Sequence, residues 1–342
     1  MSDLERRLGT YGAAVDEAAE RLLVSLPEFQ SMYDMHRYHL GWLDQSMSRI
    51  VGPPGKKLRP ALCLLVAESI ATDWGPALPA ATAVELVHNF SLIHDDIQDN
   101  SPLRRFRPAV WSLWGIAQGI NAGDALLIVA EQALLEAEPP LHSEVALGAL
   151  RLLNATCRAL CEGQYLDMLW ENEPVVTVEQ YLEMIERKTA RLFQCAAELG
   201  AFCVGAGPYV QAQVGRFASA LGLAFQAADD LLGIWSPEAE TGKTADLDVA
   251  NRKKTLPVVL GLAAPPSAES DQLHALFRLD RLLTAEETFE ATTILENLGA
   301  REQATGRARA YRDAALQELR QVPVPTGASI LEEFVTTVLP SV

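Results

Sequence analysis

Apolar residues recur every three or four positions along most of the chain. This spacing places them on one face of an α-helix, where they can pack against other helices. The pattern predicts long helices over 61–74, 81–97, 123–137, 143–170, 178–202 and 221–235. Alternating strand-type runs bounded by turn residues are rare. The sequence therefore predicts an all-α protein.

Glycine and proline cluster between the predicted helices and mark the turns. The clusters lie at 51–57, 75–79, 137–142, 205–208 and 263–270. Long helices joined by such short loops are typical of a large antiparallel helical bundle. No linker divides the chain, so we expect one domain over residues 1–342, although the length alone would suggest two. Residues 264–290 are expected to form a variable insertion or a pair of short helices.

Composition and charge narrow the possible functions. Hydrophobic residues make up 49% of the chain, which is enough to bury a large core. The net charge of −17 argues against general nucleic-acid binding, which needs a basic surface. The sequence has neither a long uninterrupted apolar run nor an N-terminal signal pattern, so we expect no membrane span and a cytoplasmic location. The five cysteines are expected to be reduced thiols, mostly buried.

The basic residues are few, but several of them are clustered. Basic islands on an acidic protein suggest a local anionic ligand, whereas solvated surface charge is the simpler explanation for any single cluster. Only their combination with acidic motifs favours a functional role. The clusters are Lys56/Lys57/Arg59, Arg104/Arg105/Arg107, Lys188/Arg191 and Arg252/Lys253/Lys254.

The first acidic motif lies in the segment SLIHDDIQDNSPLRRFRP, at the end of the predicted helix 81–97. On a helix Asp95 and Asp99 stack on one face, with Asp96 beside them. Three like charges repel, and the C-terminal end of a helix disfavours anions. A frayed, solvated helix end would explain them, but the apolar residues just before Asp95 argue for burial up to the aspartates. We therefore predict a Mg²⁺ site, because Mg²⁺ commonly binds one or two carboxylates plus substrate phosphates.

A second acidic pair, Asp229 and Asp230, interrupts the apolar helix predicted over 221–235. Two adjacent acids in such a helix are costly unless they are paired or coordinated. The lysine-rich segment GKTADLDVANRKKTLP follows directly. Acidic groups for metal and basic groups for phosphate are the division of labour expected in diphosphate chemistry.

Taken in order, these motifs resemble those of the trans-polyprenyl diphosphate synthase family, and the resemblance runs from about residue 55 to residue 257. It implies an isoprenoid-synthase-type bundle around a central cavity, a Mg²⁺-dependent prenyl transferase with three metal ions per active site, and a homodimer. Isopentenyl diphosphate and an allylic diphosphate would be the substrates. Asp95, Asp96, Asp99, Asp229 and Asp230 would be the metal ligands or their close supports.

The resemblance also implies roles for the basic and polar residues of each motif. Lys56 and Arg59 of GKKLRP would hold the diphosphate of isopentenyl diphosphate, with His88 in the same pocket. Arg104 of LRRFRP would hold the allylic diphosphate, and Arg105 the isopentenyl one. The motifs GQYLD, KTARLF, FQAADD, GKT and RKKTLP add Gln164, Asp167, Lys188, Thr189, Gln226, Lys243 and Lys253, of which Lys188, Thr189 and Gln226 would stabilise the allylic cation.

The sequence departs from the family pattern at two motif positions, in the segment TAD after GK, and at the C-terminal FVTTVLPSV, which lacks a basic tail. Gly233 stands where the third aspartate of the second motif is usual, and Phe106 replaces the usual glycine after the two arginines. These departures leave a class I terpene cyclase open, whereas Arg59, His88 and Arg105 favour chain elongation. A third alternative is a noncatalytic subunit of a heteromeric synthase. The intact DDIQD motif argues against it.

Product length depends, by resemblance, on the helix that carries DDIQD. Phe90 lies about one turn before Asp95 and could form a floor for the growing chain, while the small Ser91 would let a chain pass. An ordinary core aromatic is the alternative for Phe90. We predict geranylgeranyl diphosphate as the main product, with farnesyl diphosphate as the alternative.

Overall fold

Helices form nearly all of the regular structure in the computed structural model, which describes residues 2–23, 27–50, 57–137, 139–171, 173–235, 247–323 and 328–339. The all-α prediction is confirmed. The α-helices are α1 Asp3–Leu22, α2 Gln30–His39, α3 Leu58–Ala71, α4 Leu78–Gln98, α5 Val110–Trp114, α6 Ile116–Leu135, α7 Ser143–Glu171, α8 Val178–Ile185, α9 Arg191–Cys203, α10 Pro208–Trp235, α11 Leu247–Ala250, α12 Leu256–Leu262, α13 Ala268–Phe277, α14 Ala285–Asn297, α15 Ala300–Leu319 and α16 Ala328–Val338.

Short elements complete this pattern. One π-helical segment, Glu186–Ala190, joins α8 to α9, and 3₁₀ turns at Pro27–Phe29 and Gly75–Ala77 precede α2 and α4. Strands β1 Leu103–Arg104 and β2 Arg107–Pro108 pair antiparallel. The region 264–290 contains α13 and the start of α14, in agreement with a pair of short helices.

The chain folds into two compact units, and the single domain expected over 1–342 stays a prediction. Unit 1 comprises Met1–Cys157, Leu192–Gly215 and Leu319–Phe334. Its helix α3 is apolar on every side, and the residues from Leu62 to Ala67 have no exposed surface. Such a helix is stable only when neighbours cover it. Gly200 of α9 lies against the backbone carbonyl of Cys63, where a side chain at position 200 would not fit.

Unit 2 comprises Arg158–Arg191, Arg216–Glu318 and Val335–Val342. Its core gathers side chains of α8, the C-terminal part of α10, α12, α14 and α15. Every residue of α12 is buried. Tyr181 of α8 is among the largest fully buried side chains of this unit, and its hydroxyl lies beside the acidic residues of α10.

Helix α10 is the one described helix that is long and apolar enough to cross a membrane by length and composition, with a mean hydropathy of 1.2. Half of its apolar window is buried inside the protein. Core helices of soluble proteins meet the same criterion, so this helix is weak evidence for a membrane span.

The hairpin β1–β2 reverses the chain directly after α4. Its two-residue loop, Arg105 and Phe106, has φ angles of 52° and 61°. Positive φ at both positions is the requirement of a type I′ turn, which usually selects glycine or asparagine. The turn brings Arg104 back beside the end of α4, whereas the Phe106 side chain is 68% exposed. The backbone of Phe106 is therefore strained, and burial of its side chain offsets little of that strain.

We expect Phe106→Gly to raise the free energy of unfolding by up to about 1 kcal/mol, because glycine adopts positive φ without the Cβ penalty and the loss of an exposed ring costs little. Phe106→Ala is the matched control, since it removes the ring but keeps Cβ. It should stay within about 0.5 kcal/mol of the wild type. Urea unfolding followed by circular dichroism measures both. Equal stabilisation by alanine and glycine would show that the ring, not the backbone, carries the cost.

Candidate active site

The first acidic motif occupies the last turn of α4. Asp99 is the C-terminal capping residue of the helix, and its backbone N–H donates to the carbonyl of Asp95 over 2.8 Å. The Asp95 side chain is partly exposed, whereas that of Asp96 is only 1% exposed. The helix is thus buried up to the aspartates, in agreement with the sequence analysis, and it presents Asp95 and Asp99 one turn apart.

Arg104 neutralises Asp96. Its Nε and Nη2 atoms donate to Asp96 Oδ1 over 2.9 and 2.6 Å, and Nη2 lies 3.7 Å from Asp95 Oδ2. Burial raises the pKa of Asp96 to about 6, although the hydrogen bond and charge of Arg104 act in the opposite direction. The predicted diphosphate ligand of Arg104 would therefore approach a guanidinium that already holds a carboxylate.

In the same unit, Arg59 lies beside His88. Arg59 Nη1 lies 3.4 Å from His88 Nε2, and its guanidinium stacks over the ring of Phe193, 4.5 Å from the ring centre. The pKa of His88 lies well below its ordinary value, because of burial and then the charges of Arg59, Arg105 and Arg104. A neutral histidine among arginines is suited to bind an anion, since it can donate a hydrogen bond while the arginines supply the charge.

The third arginine of the hairpin has a structural role. Arg107 donates to the backbone carbonyls of Tyr38 and Leu43 over 3.3 and 2.5 Å. It also stacks on the Tyr38 ring, with 4.1 Å between Cζ and the ring centre. Arg107 therefore anchors the hairpin to the end of α2 and to the segment that follows it. Arg104 and Arg105 are then the hairpin arginines with a predicted role in binding.

The acidic end of α4 fits Mg²⁺. Asp95 and Asp99 offer carboxylate oxygens one turn apart, and Asp96 Oδ2 is buried without a hydrogen-bond partner among the described residues. In phosphate-handling sites Mg²⁺ commonly takes one or two carboxylates and completes its shell with phosphate oxygens and water. Within the described ranges, no three His, Cys, Asp or Glu side chains are grouped so as to hold a metal ion. The donor set fits a metal ion that arrives with a diphosphate.

In unit 2 the second acidic pair has a different environment. Asp230 is 5% exposed, and its Oδ2 accepts hydrogen bonds from the Tyr181 hydroxyl (2.5 Å) and the Leu256 N–H (2.7 Å). Its Oδ1 accepts from Gln226 Nε2 over 2.8 Å. Burial raises the pKa of Asp230 to about 6, against these hydrogen bonds. Asp229 is less buried than Asp230.

The π-helical segment carries Lys188 and Thr189, and such segments often mark functional sites. Lys188 Nζ pairs with Asp167 Oδ2 over 2.5 Å, and the Thr189 hydroxyl donates to Gln226 Oε1 over 2.8 Å. These contacts join the KTARLF, GQYLD and FQAADD motifs within one unit. The structure therefore brings together residues that the sequence assigned to the same cavity. Their roles in catalysis stay predictions.

For four other predicted site residues the structure gives less information about their surroundings. Gln164 is half-buried, and its Nε2 has no hydrogen-bond partner within the described part of the chain. Lys253 is half-buried, and its backbone N–H donates to the carbonyl of Asp248 over 2.8 Å. Lys56 and Lys243 lie outside the described residues.

The predicted chain-length residues lie one turn before the aspartates. Phe90 is 5% exposed, and its ring meets His94 edge-to-face, with 5.9 Å between ring centres. His94 Nε2 lies 3.1 Å from the Ile120 carbonyl of α6, and its ring fills the space beside Gly123. The Ser91 hydroxyl donates to the His88 carbonyl over 2.8 Å. Phe90 therefore has a partner that fixes its ring, and its role as a floor stays a prediction.

The sequence did not indicate two residues that support these groups. Tyr181 fits the apolar periodicity of its helix, so the sequence indicates only a core position for it. Its buried hydroxyl donates a hydrogen bond to Asp230. Gly163 stands directly before Gln164 and lies against the backbone of Lys188, where a side chain would not fit. A glycine inside a strongly periodic helix was the available signal, because such a glycine often permits a close approach of backbones.

Comparisons with known proteins show which family the chain resembles. Residues 40–294 match the sequence profile of the polyprenyl synthetase family. Geranylgeranyl diphosphate synthase of Mycobacterium tuberculosis is 41% identical over 297 residues, which cover 86% of this chain and 82% of that protein. The (2E,6E)-farnesyl diphosphate synthase of Mycobacterium bovis is 37% identical over 315 residues, covering 90% and 87% of the two chains.

A solved structure extends the similarity to the fold. The crystal structure of polyprenyl synthetase from Streptomyces coelicolor superposes with a TM-score of 0.86 at 36% identity and covers 98% of this chain and 97% of that one. The profile match, the curated relatives and this fold agree with one another and with the motif order, and the chain belongs to the polyprenyl synthetase family.

Proposed function

We propose that the protein is a short-chain prenyl transferase that condenses an allylic diphosphate with isopentenyl diphosphate and gives geranylgeranyl diphosphate as its main product. The family makes it a transferase of isoprenoid biosynthesis. The observation that carries the proposal is the contact of Arg59 with His88, on the same helix whose last turn carries the aspartates. Carboxylates for metal ions and arginines for a second anion within unit 1 suit an enzyme that binds two diphosphates.

In the proposed reaction the diphosphate of the allylic substrate leaves, the double bond of isopentenyl diphosphate attacks the allylic cation, and the resulting cation loses a proton to the released diphosphate. Asp95 and Asp99 would hold Mg²⁺, which when bound stabilises the charge of the departing diphosphate. Arg59 and Arg105 would hold the isopentenyl diphosphate by charge-assisted hydrogen bonds. No side-chain nucleophile is required.

Residues of unit 2 would act on the cation and on further metal ions. Asp229 is the proposed ligand of its acidic pair, with Asp230 as its support, because Asp230 already accepts three hydrogen bonds from the protein. Lys188, Thr189 and Gln226 would stabilise the cation through their charge and dipoles. Three Mg²⁺ ions per active site are part of this proposal.

A homodimer in the cytoplasm is also proposed. The exposed surface of α6 supports the dimer, since Ile116, Ile120, Ile128 and Leu135 are each between 46% and 56% exposed. Large apolar side chains repeated along one helix are typical of a surface that a partner covers. Light scattering of the purified protein measures its molar mass directly.

A terpene cyclase is the second candidate, and the glycine at position 233 favours it. A cyclase needs only the allylic site, whereas the retained Arg59, His88 and Arg105 speak for a second diphosphate. Farnesyl diphosphate synthase is the alternative within the same reaction class, since relatives with that name also cover most of the chain.

The proposed function is tested by supplying farnesyl diphosphate and Mg²⁺ with and without isopentenyl diphosphate and identifying the products. A longer diphosphate that forms only when both substrates are present is the expected result. A hydrocarbon or alcohol formed from farnesyl diphosphate alone would identify a cyclase. Absence of any product with these or shorter allylic diphosphates would contradict both.

In the same assay Asp95→Ala should lower turnover by about 100-fold or more, because a metal ligand at the leaving group is lost. Asp271→Ala is a control, since this aspartate lies exposed in the first turn of α13. It should behave like the wild type. Wild-type turnover of Asp95→Ala at saturating Mg²⁺ would refute the role of the α4 aspartates.

The chain-length proposal is tested at Phe90. Phe90→Leu should shift part of the product to twenty-five carbons or more, because a smaller side chain opens the space beneath the aspartates. Ser91→Phe should shift the product towards fifteen carbons. Leucine limits the destabilisation that the loss of a buried ring would cause, about 3–5 kcal/mol for a change to alanine. Chromatography of the dephosphorylated products gives the lengths, and an unchanged distribution in Phe90→Leu would show that another residue forms the floor.

A further inference from the structure

The residue before α3 combines an unusual backbone conformation with a buried charge. Lys57 stands at the N-cap of α3 with φ 42° and ψ 44°, in the left-handed region. Its side chain is only 6% exposed, and its Nζ donates to Asp16 Oδ1 of α1 over 2.7 Å. Glu85 Oε1 of α4 lies 3.8 Å from the same Nζ. A strained residue with a buried ammonium persists only when its surroundings fix it, and these two carboxylates do so.

Asp16 holds a second element through the same oxygen. Trp42 Nε1 also donates to Asp16 Oδ1, over 2.9 Å. Trp42 precedes Leu43, whose backbone carbonyl accepts a hydrogen bond from Arg107 of the hairpin. One carboxylate of α1 therefore links the start of α3 to the segment on which the hairpin is anchored.

The two linked elements carry the arginines that are proposed to bind isopentenyl diphosphate. Arg59 follows Lys57 by two positions on α3, and Arg105 lies in the loop of the hairpin. Glu85 extends the link to α4, where it lies three residues before His88. Burial lowers the pKa of Arg105, and the charge of Glu85 acts in the opposite direction. The same network therefore reaches all three elements of the predicted isopentenyl pocket.

We infer that Asp16 is a positioning residue for the isopentenyl diphosphate pocket, which it shapes through Lys57 and Trp42. Two arginines on separate elements bind one diphosphate well only when their spacing matches the ligand, so a carboxylate that ties both elements sets the affinity for this substrate. The inference rests on the proposed function, since it concerns the second substrate. It gives α1 a role in substrate binding, although α1 lies outside the range 40–294 that matches the family profile.

The test varies each substrate in turn in steady-state kinetics and titrates isopentenyl diphosphate by calorimetry without the allylic substrate, so that binding is measured without turnover. Asp16→Ala removes both contacts and should raise the KM and the Kd for isopentenyl diphosphate by about 10-fold, the loss expected for a hydrogen bond between charged groups. The KM for the allylic diphosphate and kcat at saturation should stay within about twofold of the wild type, because only the binding of one substrate is weakened. Asp16→Asn keeps an acceptor oxygen and should raise the same two constants by about threefold.

Glu17→Ala is the matched control, because Glu17 is the next residue of α1, carries the same charge and has a side chain that is 75% exposed. It should behave like the wild type. Lys57→Met should reproduce the effect of Asp16→Ala on isopentenyl diphosphate, since it removes the link to α3 from the other side. Thermal unfolding shows whether each variant is folded, and Asp16→Asn decides the outcome if the alanine variant does not fold.

Unchanged KM and Kd for isopentenyl diphosphate in the folded Asp16 variants would overturn the inference. An equal increase in the KM of both substrates, or a fall in kcat alone, would also overturn it, because a purely structural role gives these results. Arg59→Ala separates this failure from failure of the proposed function. If Arg59→Ala weakens the binding of isopentenyl diphosphate and the Asp16 variants do not, only the role of Asp16 is wrong. If the wild type neither binds isopentenyl diphosphate nor elongates an allylic diphosphate, the proposed function and the inference are both wrong.

Discussion

A carboxylate buried away from water needs a counter-charge or hydrogen-bond donors close to it, and Arg104 supplies both to Asp96 at the end of α4. Without the guanidinium, Asp96 would be a buried anion beside two others at the helix terminus that disfavours negative charge. The hairpin, its strained turn and the anchor of Arg107 to the backbone all serve to return Arg104 to this point. The local fold after α4 therefore depends on one ion pair.

The pairs Asp95–Asp96 and Asp229–Asp230 both bury one carboxylate, but its partners differ. Asp96 is buried against a guanidinium, whereas Asp230 is buried among neutral donors, and burial raises the pKa of each to about 6. In both pairs the first aspartate is the more exposed one. In each pair, hydrogen bonds from the protein hold the second aspartate in place, whereas the first aspartate keeps an accessible carboxylate. A repeated dipeptide in the sequence corresponds to two different chemical environments.

Periodicity predicted some helices almost to the residue, and packing explains where it did not. The predicted helix 143–170 is α7, Ser143–Glu171, because its apolar face is continuous and a proline-rich turn precedes it. Only the second half of α10 was predicted, although Val214, Phe217 and Leu221 continue the same three- and four-residue spacing towards Pro208 and are fully buried. The hairpin was missed because Arg105 and Phe106 lack the glycine or asparagine that signals such turns.

Motif order grouped several residues that the structure places in one unit, but it did not predict the contacts between them. Lys188, Thr189 and Gln226 all lie in unit 2, where the Thr189 hydroxyl donates to Gln226. The hydrogen bond from Tyr181 to Asp230 joins residues 49 positions apart and depends on how two helices pack. The Asp248 carboxylate lies next to Gly233 of α10, and this contact likewise depends on the placement of a four-residue helix that periodicity is too coarse to detect.

Helix α3 has a consequence for how the chain is made. It is apolar on every side, and part of its cover, α9 with Gly200 against Cys63, is synthesised more than a hundred residues later. Unit 1 also includes Leu319–Phe334, which follows α3 by more than two hundred residues. A growing chain therefore leaves the ribosome with this apolar helix incompletely covered, and it cannot complete unit 1 until Leu319–Phe334 has been synthesised. Aggregation competes with folding throughout that interval, so the yield of the protein in a cell depends on chaperone capacity as well as on the stability of the finished fold.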